Sequence, residues 1–202
     1  MNLCVTISEI NWSLTKDVIS IIGTLGALIV GGLGLFTWSR QLKGTSEYEL
    51  AKKAVLVTYE VQQALQSVRN PMIHLSKEEV EAGRRLQEEQ RIYEERLSEL
   101  YKKWAELQTI RLETKVIWSE QAHSVFNGLQ ERIGDVRGAI WLHFWMKGAY
   151  AGPGATVDNS RQRVIENDKI VYFSSENDDF SQKIAESVRS VENFFSPKVR
   201  RK

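Results

Sequence analysis

Between Val18 and Trp38 the mixing of polar and apolar positions stops, and the 21 residues carry no charged side chain. As a helix rising about 1.5 Å per residue, such a run spans about 31 Å, close to the roughly 30 Å hydrocarbon core of a bilayer. Asp17 and Arg40 bracket it, and Trp12 and Trp38 fall where interfacial aromatics sit. A helix of a soluble core rarely runs so far without a polar face. A cleavable signal peptide has a cationic start, a shorter apolar stretch and a small-residue cleavage site, whereas this run exits into Trp38-Ser39-Arg40. The pattern predicts an uncleaved transmembrane helix over 18–38 behind a short N-terminus, 1–17.

Beyond residue 38 the apolar positions return at helical spacing. Ser46-Glu47-Tyr48-Glu49 has the form of a capping box, followed by Ala51, Ala54, Val55, Val61, Ala64, Leu65 and Val68 until Asn70-Pro71. A second such box, Ser76-Lys77-Glu78-Glu79, predicts the start of a longer helix. There Leu86, Tyr93, Leu97, Leu100, Trp104 and Leu107 fall on alternating three- and four-residue steps, with Gln90 in the one polar slot. This is the pattern of a coiled-coil seam, and Leu97, Leu100 and Trp104 are its expected packing residues. Arg85 with Glu89, and Glu99 with Lys103, read as solvated i,i+4 pairs. A break is expected near Trp118-Ser119, then a third helix from Glu120 to Gly148 with Val125, Leu129, Ile133, Val136 and Ile140 inward. Its dense stretch Ala139–Met146 is too short for a second span and serves either as core or as a membrane-surface face.

Gly148 to Ser160 reads as a loop, and Lys169-Ile170-Val171-Tyr172-Phe173 as a short strand without a partner. A last helix is expected from Asp178 to Phe195, with Phe180, Ile184, Val188 and Val191 on one face and Pro197 stopping it. The expected fold is mainly all-α: the transmembrane helix, then an antiparallel helical hairpin or three-to-four-helix bundle with a coiled-coil segment. The organisation reads as 39–150 for the hairpin or bundle, 151–177 for a loop, and 178–202 for the last helix and a basic tail.

Composition then sharpens the picture. The 202 residues hold 27 Lys+Arg against 26 Asp+Glu, and only Lys16, Glu9 and Asp17 precede Ser39. Residues 39–202 therefore carry a net charge of +2, which gives no electrostatic case for nucleic-acid binding. Arg40, Lys43, Lys52 and Lys53 follow the apolar run closely, against Lys16 alone before it. The positive-inside rule places the C-terminal region in the cytoplasm and the N-terminus outside. Within the run Gly23, Ala27 and Gly31 recur every fourth residue as a ridge of small side chains. Such a ridge suits association of membrane helices, although glycine is also common in membrane helices generally.

Catalytic chemistry is sparse. The single Cys4 excludes an intrachain disulfide or multi-cysteine zinc site. His123 and His143 are 20 residues apart, about 30 Å along one helix, too far to share a metal. No phosphate-binding loop or nucleophile elbow is present. No cofactor and no small-molecule substrate is expected.

Trp38-Ser39-Arg40-Gln41-Leu42-Lys43-Gly44, Tyr48-Glu49-Leu50-Ala51, Val68-Arg69-Asn70-Pro71, Lys115-Val116-Ile117-Trp118-Ser119-Glu120 and Asp178-Asp179-Phe180 occur in this order. In these motifs the sequence resembles a group of bacterial proteins of unassigned function, with one membrane span and a cytoplasmic helical region. The resemblance implies a bacterial inner-membrane protein and transfers no active-site residue. The leading expectation is a non-enzymatic, membrane-anchored scaffold that self-associates or docks a protein partner, with Gly23, Ala27 and Gly31 in membrane contact. The alternative is a membrane-tethered enzyme or defence-type effector with a site near His143, Asp178 and the 148–173 region.

Overall fold

The computed structural model describes residues 12–150, 152, 154 and 158–200, with side-chain environments from residue 16 onward. Its regular elements are α1 (Trp12–Val68), α2 (Lys77–Glu81), α3 (Arg85–Ile117), α4 (Glu120–Ser124), α5 (Asn127–Met146), α6 (Arg161–Val171) and α7 (Asp179–Arg200). Among the described residues there is no strand, so the fold is all-α. The chain divides into two compact units between Ser46 and Glu47.

In the first unit, α1 carries the uncharged run with its large side chains bare, from 46% exposure at Val18 to 70% at Val30 and Phe36. Among the described residues one helix is long and apolar enough to cross a membrane. Apolar side chains left uncovered along 21 residues are unfavourable in water and favourable in lipid. The Ser46 box does not start a helix, because α1 passes through it unbroken and Ser46 lies exposed in its interior.

The second unit has a core of its own. Leu50, Ala51, Ala54, Val57, Val61, Leu65 and Val68 form a buried stripe on α1, at the spacing read from the sequence. Alongside it α3 runs antiparallel: Lys103 Nζ pairs with Glu60 at 2.7 Å, Lys53 with Glu106 at 3.8 Å, and Arg96 donates to the carbonyls of Asn70 and Met72. Ser76 precedes only the short α2 and its side chain makes no capping bond. Gly83, at φ 77°, then turns the chain, and the long helix starts at Arg85. A left-handed turn of this kind favours glycine, which has no Cβ to clash.

Along α3 the buried positions are Tyr93, Leu100 and Leu107, whereas Leu86, Leu97 and Trp104 are half-buried against the same core. The seam packs inside the unit, with its heptad row Tyr93-Leu100-Leu107 deepest. The expected third helix is two, because α4 ends and α5 begins around Val125 and Phe126, whose side chains are half-buried and buried. Arg111 spans this joint from α3, donating to the His123 carbonyl at 3.2 Å, Asn127 Oδ1 at 2.6 Å, and Gln130 Oε1.

Two expectations near the C-terminus are corrected. Lys169, Ile170 and Val171 are the last turn of α6, not a strand, and Tyr172 just beyond it is extended. Propensity read this β-branched and aromatic run as a strand, but Val171 and Asn167 are buried at helical spacing, and packing prevails. Pro197 lies inside α7, which continues to Arg200. Packing again explains it: Val199 packs on the core, and Lys198 Nζ sits 5.1 Å from the Trp118 ring and 5.0 Å from Phe194. The buried face of α7, Phe180, Ile184, Val188, Val191 and Phe195, covers α5 and the α3–α4 corner, where Phe195 meets Trp118 and Phe126.

Candidate functional site

Of the residues singled out for chemistry, His143 occupies the most unusual place. It lies on the inner face of α5, 5% exposed, beside Phe144 and Tyr93. Glu89 of α3 brings Oε1 to 3.3 Å from Nε2, and Asp168 of α6 brings Oδ1 to 3.7 Å from Nδ1. The Tyr172 hydroxyl is 3.5 Å from Nε2, and Lys147 Nζ pairs with Glu89 at 2.5 Å. Three helices thus converge on one imidazole. The carboxylates face opposite ring nitrogens, so they flank the ring instead of converging on one point, and a metal cage is not formed. Among the described residues no group of three or more His, Cys, Asp or Glu could hold a metal ion.

The electrostatics follow from the contacts. Hydrogen bonding to His143, aided by Lys147 and opposed by burial, holds the Glu89 carboxyl down at about 2. Burial raises both Tyr93 and Tyr172 above the usual phenol value. Tyr93 is fully buried, and its hydroxyl has no hydrogen-bond partner among the described residues. The centre joins α3 through Glu89 and Tyr93, α5 through His143, and the α6 end through Asp168 and Tyr172.

Asp178 is placed elsewhere. Its carboxylate accepts from the Ser181 amide at 2.7 Å and from Arg69 Nη2 at 3.2 Å, closing the first turn of α7. Burial pushes its carboxyl up, but the Ser181 amide and hydroxyl, Arg69 and the Ser174 amide outweigh it and hold it at about 2. Arg69 is fully buried and its guanidinium is spent: Nε donates to the Ile170 carbonyl, Nη1 to Ser181 Oγ, and Nη2 to the Lys169 and Tyr172 carbonyls. Its face lies 4.9 Å from the Phe180 ring centre. The three carbonyls at the end of α6 and the α7 N-terminus are thereby fastened to the end of α1. His143 and Asp178 do not share a site.

Sequence reasoning missed Arg69 and Glu89. Arg69 follows Leu65 by four residues and so continues the buried stripe, which was the available signal. Glu89 precedes Tyr93 by four and lies on the seam, but its expected partner Arg85 is exposed and Glu89 turns to His143 and Lys147. Similarly Glu99 pairs with Lys102, while Lys103 crosses to Glu60.

Two further surfaces are shaped for contact. On α5, opposite His143, Trp141 is 52% exposed and stacks on Trp145 and Tyr150 with ring centres 5.1 and 6.2 Å apart. A groove of ≈ 180 Å³ runs from Trp141 and Tyr150 to Tyr93, Leu97 and Tyr101 of α3. Ala139–Met146 is therefore divided, with Ala139, Ile140, His143 and Phe144 in the core and Trp141 outward. Between α5, α6 and α7 an open pocket of ≈ 510 Å³ is lined by charges of both signs around Phe180, among them Arg132, Asp135, Lys169 and Lys183. On the first unit, Gly23 and Gly31 have open space where a Cβ would stand. No family model, curated protein or solved structure matches the chain.

Proposed function

We propose that this protein is a single-pass membrane protein of the bacterial inner membrane whose cytoplasmic helical bundle docks a protein partner or a second copy, without catalysis. The observation that carries the reading is the 21-residue uncharged helix whose large side chains are all bare, next to a bundle that covers its own core. The charge bias of Arg40, Lys43, Lys52 and Lys53 supports a cytoplasmic bundle. The Gly23-Ala27-Gly31 ridge supports helix pairing in lipid. On the bundle, the Trp141-Trp145-Tyr150 stack beside Leu97 and Tyr101 supports docking, since exposed aromatics at a shallow groove are what protein interfaces bury.

Photo-crosslinking of the full chain in membranes tests this reading, with the reactive group placed at Ala27 and at Trp141. Discrete adducts are expected at both positions; a purely monomeric, partner-free species overturns it. The second reading, an enzyme, is favoured by one observation, the acid–base groups within 3.7 Å of His143. His143→Gln, which replaces the imidazole by an amide, would abolish a phenotype on that reading. Under the docking reading it leaves the phenotype intact while the bundle stays folded.

A further inference from the structure

The end of the bundle that receives α1 carries an apolar stripe with no cover. Glu60 pairs with Lys103; thirteen residues back along α1 is Glu47, and thirteen on along α3 is Val116. Both distances are about 20 Å at the α-helical rise, so the last turns of α3 come level with the start of the unit. There Val116 is 86% exposed, Leu112, one turn before it, 59%, and Ile117 40%. Elsewhere on α3 the exposed face is mostly charged or polar, apart from Tyr101 and Ala105. The same end carries the acidic Glu113, Lys115 paired with Glu120 at 2.7 Å, and Lys198, whose Nζ lies 5.1 Å from the Trp118 ring, with Arg200 two residues further along α7. Glu47 follows Trp38 by nine residues, which in any backbone conformation span no more than about 32 Å, so the chain itself keeps this end within reach of the interface that holds Trp38.

We propose that Leu112, Val116 and Ile117 insert into the interfacial layer of the membrane that holds residues 18–38, with Lys198 and Arg200 against its anionic headgroups. Branched side chains one turn apart on a helix end suit shallow insertion, and nearby cations add attraction to anionic lipid. The inference rests on the anchor reading, and it fixes which end of the bundle meets lipid.

The test uses the full chain with Cys4→Ser, reconstituted in vesicles of 70% phosphatidylcholine and 30% phosphatidylglycerol. A fluorophore sensitive to nitroxides is attached through Leu28→Cys, Val116→Cys or Glu95→Cys in separate samples. Glu95 serves as the distant control on α3, about 32 Å from Val116 along the helix. Nitroxide in the acyl chains is expected to quench the Leu28 label. Headgroup nitroxide is expected to quench the Val116 label at least about threefold more than the Glu95 label. Equal quenching at Val116 and Glu95, with Leu28 quenched, overturns the docking and leaves the anchor standing. A Val116 label shielded from both lipid nitroxide and a water-soluble quencher overturns it in favour of a second copy. An unquenched Leu28 label overturns the anchor and this proposal together.

Discussion

Replacing Arg69 by methionine removes a side chain that ties the end of α1 to both α6 and α7. The change keeps the aliphatic stem and deletes the bonds of three guanidinium nitrogens to five residues, Ile170, Lys169, Tyr172, Ser181 and Asp178. The guanidinium is fully buried, and the Asp178 side chain is only 14% exposed. Removing one member of such a pair typically costs about 3–5 kcal/mol, because the remaining charge loses its partner without regaining water. The carbonyls left unmet have costs of their own, about 1–3 kcal/mol each when fully buried, but the exposed 174–177 turn lets water reach some of them. A total of about 3–5 kcal/mol is expected, which for a unit of this size lowers the melting temperature by about 6–20 °C. The assay is thermal unfolding of the full chain in detergent, followed by near-ultraviolet circular dichroism, which reports Trp118 and the aromatic core more than the bare α1 run. Arg69→Lys should fall between the two, since one ammonium cannot reach acceptors arranged around a planar fork. A melting temperature for Arg69→Met within about 2 °C of the parent, less than about 1 kcal/mol, refutes the latch.

Acid should loosen the same unit. Glu89 and Asp178 are held near 2, below the usual 4.5 and 3.8, so each stabilises the fold above its unfolded value and loses that contribution as pH falls from about 4.5 towards 2. Each contributes about 2–3 kcal/mol at neutral pH; a melting temperature flat between pH 5 and 2.5 contradicts this. At Gly128 an added Cβ would stand 2.9 Å from Ser187 Oγ where α5 crosses α7. Gly128→Ala alone should be near neutral, helix propensity offsetting the clash, and should gain about 1 kcal/mol once Ser187→Ala clears the space; equal effects in both backgrounds in urea unfolding would remove the clash from the explanation. His143→Ala, leaving Glu89 and Asp168 beside an empty space between three helices, should cost about 2–4 kcal/mol by the same melt. A silent substitution would mean the imidazole does not hold the helices together.

Elements carried by apolar spacing were legible in the sequence: the uncharged run, the α1 stripe from Ala51 to Val68, the Tyr93-Leu100-Leu107 row, and the inward face of α7. Local signals misled where tertiary packing outweighed them. Ser46 looks like a helix start, but nothing in Gly44-Thr45-Ser46 forbids a helix continuing, and α1 runs through. Pro197 looks like a stop, but Lys198 and Val199 gain aromatic and core contacts only if the helix goes on. The polar α6 shows little amphipathic pattern, and its apolar residues gather at one end, where they imitate a strand. His143 was found because it stood among aromatics; its partner Glu89 and the separate Arg69 were not, because a half-buried Glu89 or a buried Arg69 has the same letter as a solvated one. Burial of a charge is decided by residues about 50 to 110 positions away, namely His143 for Glu89 and Ser181 or Asp178 for Arg69.

Docking through the membrane helix and the Trp141 face is the central claim, and crosslinking in intact membranes tests it most directly. With a photoreactive residue at Ala27 and, separately, at Trp141, the full chain should give discrete adducts of fixed mass at both positions. Adducts at neither position, from a chain that resists alkaline extraction, would contradict it: the protein would be anchored, but alone.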